Sequence, residues 1–178
     1  MAIKTYVLDN VLDREQRHAM VTEKAREYFG KPEVEVVYGS RGKPSVKGID
    51  KKYVSVTTTG AVMVVVFSDK PVGIDGEYLG RFNEGKQHDY LAIAERFFTE
   101  EEAEYVRDND SDPIAFAKIW VRKEAYSKYT GKGLADFSNF TVTDGERFNS
   151  KVNGVPVKKF NVSFPGSGDY IFALAGNE

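Results

Sequence analysis

The sequence predicts an α+β protein, because strands and helices arrive in blocks rather than in strict alternation. Three observations carry this. Alternating and β-branched runs crowd residues 33 to 77, helical spacing dominates 90 to 129, and short strands with Gly-containing turns fill the remainder.

In order, Ile3 to Leu8 reads as a short strand. Asp13 is a helix N-cap, with Gly30 and Pro32 stopping the helix near Phe29. Glu33 to Tyr38 alternates as a half-buried strand does, and the stretch SRGKPSVKGIDKK reads as a polar loop. Tyr53 to Thr59 alternates again. Ala61 to Phe67 is continuously apolar, which predicts a strand buried on both faces. After the turn at Ser68–Pro71, Val72 to Glu77 is a further strand. Tyr90, Leu91, Ala94, Phe97 and Phe98 share one helical face. Thr99 with Glu102 is a capping box, which starts a second helix at Glu100. Asp112-Pro113 opens a long helix running to about Tyr129 and ending at Gly131. Asp144-Gly145, Asn153-Gly154 and Pro165–Gly168 then punctuate short strands.

Composition excludes several function classes. The 178 residues are 41% hydrophobic and 29% charged, the mix of an ordinary globular protein. The net charge of −2 gives no electrostatic reason to expect nucleic acid or a membrane surface as partner. With no cysteine, thiolate chemistry and Cys-bound zinc are excluded. MAIKTYVLDN lacks the apolar core of a signal peptide, and the longest apolar run is too short to span a bilayer, so the expectation is a cytoplasmic protein. Walker and GxGxxG patterns are absent. The two histidines, His18 and His88, have no metal-ligand spacing and no serine elbow, and read as surface residues.

Three carboxylates stand out. Asp75 and Glu77 lie two apart at a strand end and project from one face, with side-chain-free Gly76 between them. Glu124 lies on the long helix. Converging carboxylates suit magnesium, which also takes water and phosphate oxygens. The plain alternative for Asp75 and Glu77 is a solvated strand end. Trp120, Glu124 and Lys128 are four apart and share a helical face. There the plain alternatives are a Glu124–Lys128 ion pair and a core tryptophan, while Lys123 points elsewhere, toward solvent. The loops Arg41-Gly42-Lys43-Pro44 and Gly131-Lys132-Gly133-Leu134 are either phosphate contacts or ordinary turns.

The order of these motifs carries a resemblance. Val72-Gly73-Ile74-Asp75-Gly76-Glu77 resembles the V-G-[IV]-D-x-E strand of the 4'-phosphopantetheinyl transferase superfamily. Phe97 to Glu102 resembles its F-[FS]-x-x-E segment, and Trp120 to Lys128 its W-x-x-K-E-[AS]-x-x-K helix. Gly131 to Leu134 is similar to the G-x-G-[LI] turn that follows, and Arg41 to Pro44 to the G-K-P loop. The length points to the single-chain surfactin-synthetase-activating type.

The resemblance implies two similar α+β halves about a pseudo-twofold, residues 1–70 and 71–178, with coenzyme A between them. It implies a magnesium-dependent transfer of phosphopantetheine from coenzyme A to a serine of an apo carrier protein (holo-acyl-carrier-protein synthase activity). The chain would act as a monomer. Asp75, Glu77 and Glu124 would hold magnesium. Glu124, Lys128 and Asp75 would be catalytic, and Lys43, Pro44, Thr58, Lys123 and Arg14 would bind coenzyme A. Thr58 stands where the family commonly has a histidine that donates a hydrogen bond to a phosphate of coenzyme A. The alternative is a non-catalytic relative that binds coenzyme A or a carrier protein.

Overall fold

A computed structural model describes residues 3–9, 13–40, 42–82 and 89–177. Arg41 and His88 lie outside the described residues. The first sheet holds strands β1 (Lys4–Asp9), β4 (Tyr53–Thr59) and β5 (Val62–Ser68), in the antiparallel order β1-β5-β4. Helix α1 (Arg14–Phe29) packs against it. Asp13 caps α1 by accepting from the Gln16 N–H, Gln16 answers with the reciprocal bond, and Gly30 closes the helix in the left-handed conformation.

The predicted loop over residues 40–52 is corrected in part. It contains β3 (Pro44–Lys47), paired with β2 (Glu35–Tyr38) as a separate hairpin. Its Pro-Ser-Val-Lys sequence is too short and too polar to register as a strand by pattern. Val46 against Val36 supplies the apolar pair.

The second sheet has β6 (Gly73–Tyr78), β7 (Lys151–Val152), β8 (Val155–Lys159) and β9 (Tyr170–Ala175), in the order β6-β9-β8-β7. Helices α2 (Tyr90–Phe97), α3 (Glu100–Asp108) and α4 (Pro113–Thr130) precede β7. The fold is therefore α+β, as its blocks of elements predict.

Strand β5 explains how the sheets share a core. Met63, Val65 and Phe67 face Val21 and Ala25 of α1. The alternate residues, Val64 and Val66, pack with Ile74, Phe172 and Leu174 of the second sheet. The period of two thus sends one strand's side chains into two cores. Helix α4 places Phe116, Ile119, Ala125 and Tyr126 in a third cluster with Val157, Ala173 and Ala175. Gly73 lets α4 lie directly on β6, because a Cβ there would come within 2.0 Å of the Ala125 carbonyl oxygen.

Strands β4 and β6 lie side by side in different sheets. No backbone ladder joins them. Hydroxyls of β4 accept β6 amides instead: Ile74 N–H donates to Ser55 Oγ at 3.0 Å, Gly76 N–H to Thr57 Oγ1 at 3.2 Å, and Tyr78 N–H to Thr59 Oγ1 at 2.7 Å. All three hydroxyl residues are buried. Alternation puts residues 55, 57 and 59 on one face of β4, so the repeat of hydroxyls matches the repeat of free amides on the β6 edge.

Candidate active site

A cavity of about 480 Å³ opens at this seam, a volume suited to a small-molecule ligand. Asp75, Glu77 and Glu124 line one side, while Arg14, Arg17 and His18 of α1 line another. Trp120 and Lys128 complete the α4 wall.

Asp75 and Glu77 reach the cavity because they are two apart on β6, and both are more than nine-tenths buried. Gly76 between them points to the opposite face, where the ring of its cross-strand neighbour Phe172 occupies the place of a side chain. A Cβ on Gly76 would come within 2.2 Å of that ring. The glycine thus serves sheet packing rather than relief of crowding between the two acids.

The Lys128 ammonium donates to Asp75 Oδ1 at 2.7 Å and to the Val56 carbonyl at 3.1 Å. The helical Glu124–Lys128 pair considered from sequence is therefore replaced by a pair between α4 and β6. The stronger partner is the more buried carboxylate, which has less water to screen it. Arg81 Nη1 donates to Glu77 Oε2 at 2.6 Å. Among the described residues, nothing comparable reaches Glu124. Burial, with the negative charge of Asp75 next in weight, pushes its carboxyl up to about 7, and Lys128 opposes the shift. Burial also raises the Glu77 carboxyl, against the Arg81 charge.

Pro44 and exposed Thr58 line the same cavity as Arg14. Lys43 lies in an adjoining cavity of about 240 Å³, which shares Pro44, Glu124 and Lys128 with the first. Its ammonium stands 3.0 Å from where a side chain on Gly131 would begin, and burial lowers its pKa.

Lys123 does not join them, and the expectation that it faces solvent and binds coenzyme A is corrected. Its side chain has no exposure. The ammonium pairs with Glu102 Oε2 at 2.6 Å and donates to the Phe140 carbonyl at 2.6 Å, beneath the Phe140 ring. Glu102 in turn accepts the Thr99 and Val142 amides. A buried ammonium requires such partners. Here they come from α3 and from the segment following α4.

Three contributors were not identified from sequence. Arg81 partners Glu77, and Thr57 Oγ1 donates to Asp75 Oδ1 at 3.1 Å. His18 stacks on Tyr38 at 3.6 Å between ring centroids, only 9° from parallel. The spacing of Arg14 and His18, one helical turn apart, was the available signal for a shared face.

Among the described residues, no group of three carboxylates, imidazoles or thiolates forms a ready-made metal cage. Magnesium does not demand one, since it usually binds one or two carboxylates and takes its other ligands from water and phosphate. The donor chemistry fits: three hard-oxygen groups face one cavity, and burial raises the pKa values of Glu124 and Glu77, a cost to their charged forms that a bound cation would offset.

The sequence model of the 4'-phosphopantetheinyl transferase superfamily matches residues 71–175, more than half of the chain. The chain belongs to this superfamily. It is 34% identical over 120 residues to 4'-phosphopantetheinyl transferase psf-1 of Bacillus pumilus, covering 65% of this chain and 48% of that protein. It is 29% identical over 96 residues to 4'-phosphopantetheinyl transferase Sfp of Bacillus subtilis strain 168, covering 53% and 40% respectively. The chain thus spans about half the length of these curated relatives. The matches place it with the Sfp type of the superfamily. Among the described residues, no helix is long and apolar enough to cross a membrane.

Proposed function

We propose that this protein transfers the 4'-phosphopantetheine arm of coenzyme A to a serine of an apo acyl or peptidyl carrier protein, releasing 3',5'-ADP. The observation that carries the reading is one cavity with carboxylates on one wall and basic side chains on another, built on the family's own strand and helix motifs. Carboxylates beside a phosphate site repel it unless a cation lies between, and basic groups opposite supply the remaining attraction. Residues 1–70 would contribute the basic wall and residues 71–178 the acidic one.

Asp75, Glu77 and Glu124 would hold magnesium. When bound, it neutralises pyrophosphate charge and favours departure of the leaving group. Arg14, Lys43, Pro44 and Thr58 would bind coenzyme A around the phosphates. In the reaction the serine oxygen forms a bond to the β-phosphorus, and the bond from that phosphorus to the bridging oxygen breaks. Glu124 accepts the serine proton, directly or through a water. Lys128 offsets charge developing on the phosphoryl oxygens. The protein would work in the cytoplasm as a monomer.

The test is intact-mass spectrometry of apo acyl and peptidyl carrier proteins incubated with this protein, coenzyme A and magnesium. A gain of one phosphopantetheine arm, abolished by a chelator, is the expected result. No gain on any carrier, with coenzyme A still bound, would replace the transferase with a non-catalytic binder.

A further inference from the structure

Thr57 differs from the other two hydroxyl residues of the β4–β6 seam. Ser55, Thr57 and Thr59 each accept one amide of β6. A threonine hydroxyl has a single proton to donate. Thr57 Oγ1 uses a lone pair for the Gly76 N–H, and its proton goes to Asp75 Oδ1 at 3.1 Å. Lys128 reaches that same oxygen at 2.7 Å. Both donors therefore converge on Oδ1, and among the described residues Oδ2 receives no protein donor. The next residue of β4, Val56, holds the Lys128 ammonium through its carbonyl. One short piece of β4 thus fixes both members of the Asp75–Lys128 pair.

We propose that Thr57 is a positioning residue: it orients the Asp75 carboxylate so that Oδ2 is presented to the cavity for a divalent cation. The proposal rests on the phosphopantetheinyl-transfer reading for what occupies the cavity. Thr57 itself lines the cavity, but the role assigned to it is not direct contact with substrate or cation. It acts through Asp75, as residues behind metal ligands commonly do.

The seam provides its own control. Thr57→Val and Thr59→Val each strip one amide of its acceptor in a buried place, so both should lower the melting temperature. Only Thr57→Val also removes a bond to a carboxylate. The readout is binding of Mn²⁺, followed by electron paramagnetic resonance on the full chain with coenzyme A present, alongside transfer to an apo carrier protein. Thr57→Val should weaken Mn²⁺ binding by about 10-fold or more. Thr57→Ser, which keeps the hydroxyl, should restore wild-type binding, and Thr59→Val should leave it unchanged. Thr57→Ala, with room for a water at Gly76, serves if the valine variant does not fold.

Equal loss of Mn²⁺ affinity in the two valine variants, or no rescue by Thr57→Ser, overturns the proposal. A wild-type chain that takes up no Mn²⁺ overturns it as well. Wild-type protein that binds Mn²⁺ but modifies no carrier counts against the transferase reading instead, and the Thr57 comparison is then read from the resonance signal alone.

Discussion

Lys128 on α4 and Asp75 on β6 meet at 2.7 Å, across 53 residues of chain. The pair leaves Glu124, one helical turn before Lys128, as the carboxylate of the cavity with the least compensated charge.

Replacing Glu124 with glutamine preserves its shape while removing its charge and its capacity to accept a proton. Carrier modification should fall by at least about 100-fold, with circular dichroism unchanged. A near-normal rate removes Glu124 from the chemistry.

The same residue sets a pH dependence in the cation-free protein. Its folded pKa of about 7 lies above the ordinary value of 4.5. Between these values the folded state therefore binds more protons than the unfolded state. The contribution of Glu124 to stability is full below pH 4.5 and is lost as pH rises through about 7. Discounted for the water in the cavity, the loss is on the order of 1–2 kcal/mol. Chemical denaturation at pH 5 and pH 8 measures it. The Glu124→Gln variant should show the smaller difference, and magnesium with coenzyme A should erase most of it in the wild type.

Lys123 and Lys43 should separate cleanly. Lys123→Ala leaves Glu102 charged in a dry interior, which costs about 3–5 kcal/mol. Lys43→Ala should leave the melting temperature nearly unchanged while weakening coenzyme A binding, measured by calorimetry, by about 10-fold. A Lys123→Ala protein as stable as wild type contradicts the buried pair.

Gly76→Ala drives a methyl group into the Phe172 ring. The expected loss is about 1–3 kcal/mol, read by thermal melting. Pairing it with Phe172→Leu should recover part of that loss, because the smaller side chain vacates the place the methyl needs.

Local order was legible in the sequence where it depends on neighbours along the chain. The Asp13 cap, the start of α3 at Glu100 with Glu102 accepting the Thr99 amide, the doubly buried β5 and the extent of α4 all follow from spacing and turn chemistry within a few residues. So does the shared direction of Asp75 and Glu77. What escaped was set by partners distant in sequence. Lys123 reads as a solvent-facing lysine until Glu102 and the Phe140 carbonyl are brought to it from other segments. Strand β3 exists because β2 offers it an edge. The run Ser55–Thr59 drew notice for Thr58, yet the hydroxyls on either side of Thr58 are the ones that join the sheets.

That seam has a consequence for how the protein can diverge. The ladders inside each sheet run between backbone groups, which any residue but proline supplies, so most substitutions leave them standing. The joint between β4 and β6 is written in side chains. A single nucleotide change can delete one of its three rungs, and the missing rung leaves an amide stranded beside the acidic wall of the cavity. Drift at residues 55, 57 and 59 would loosen the alignment of the two sheets in steps, long before it threatened either sheet by itself.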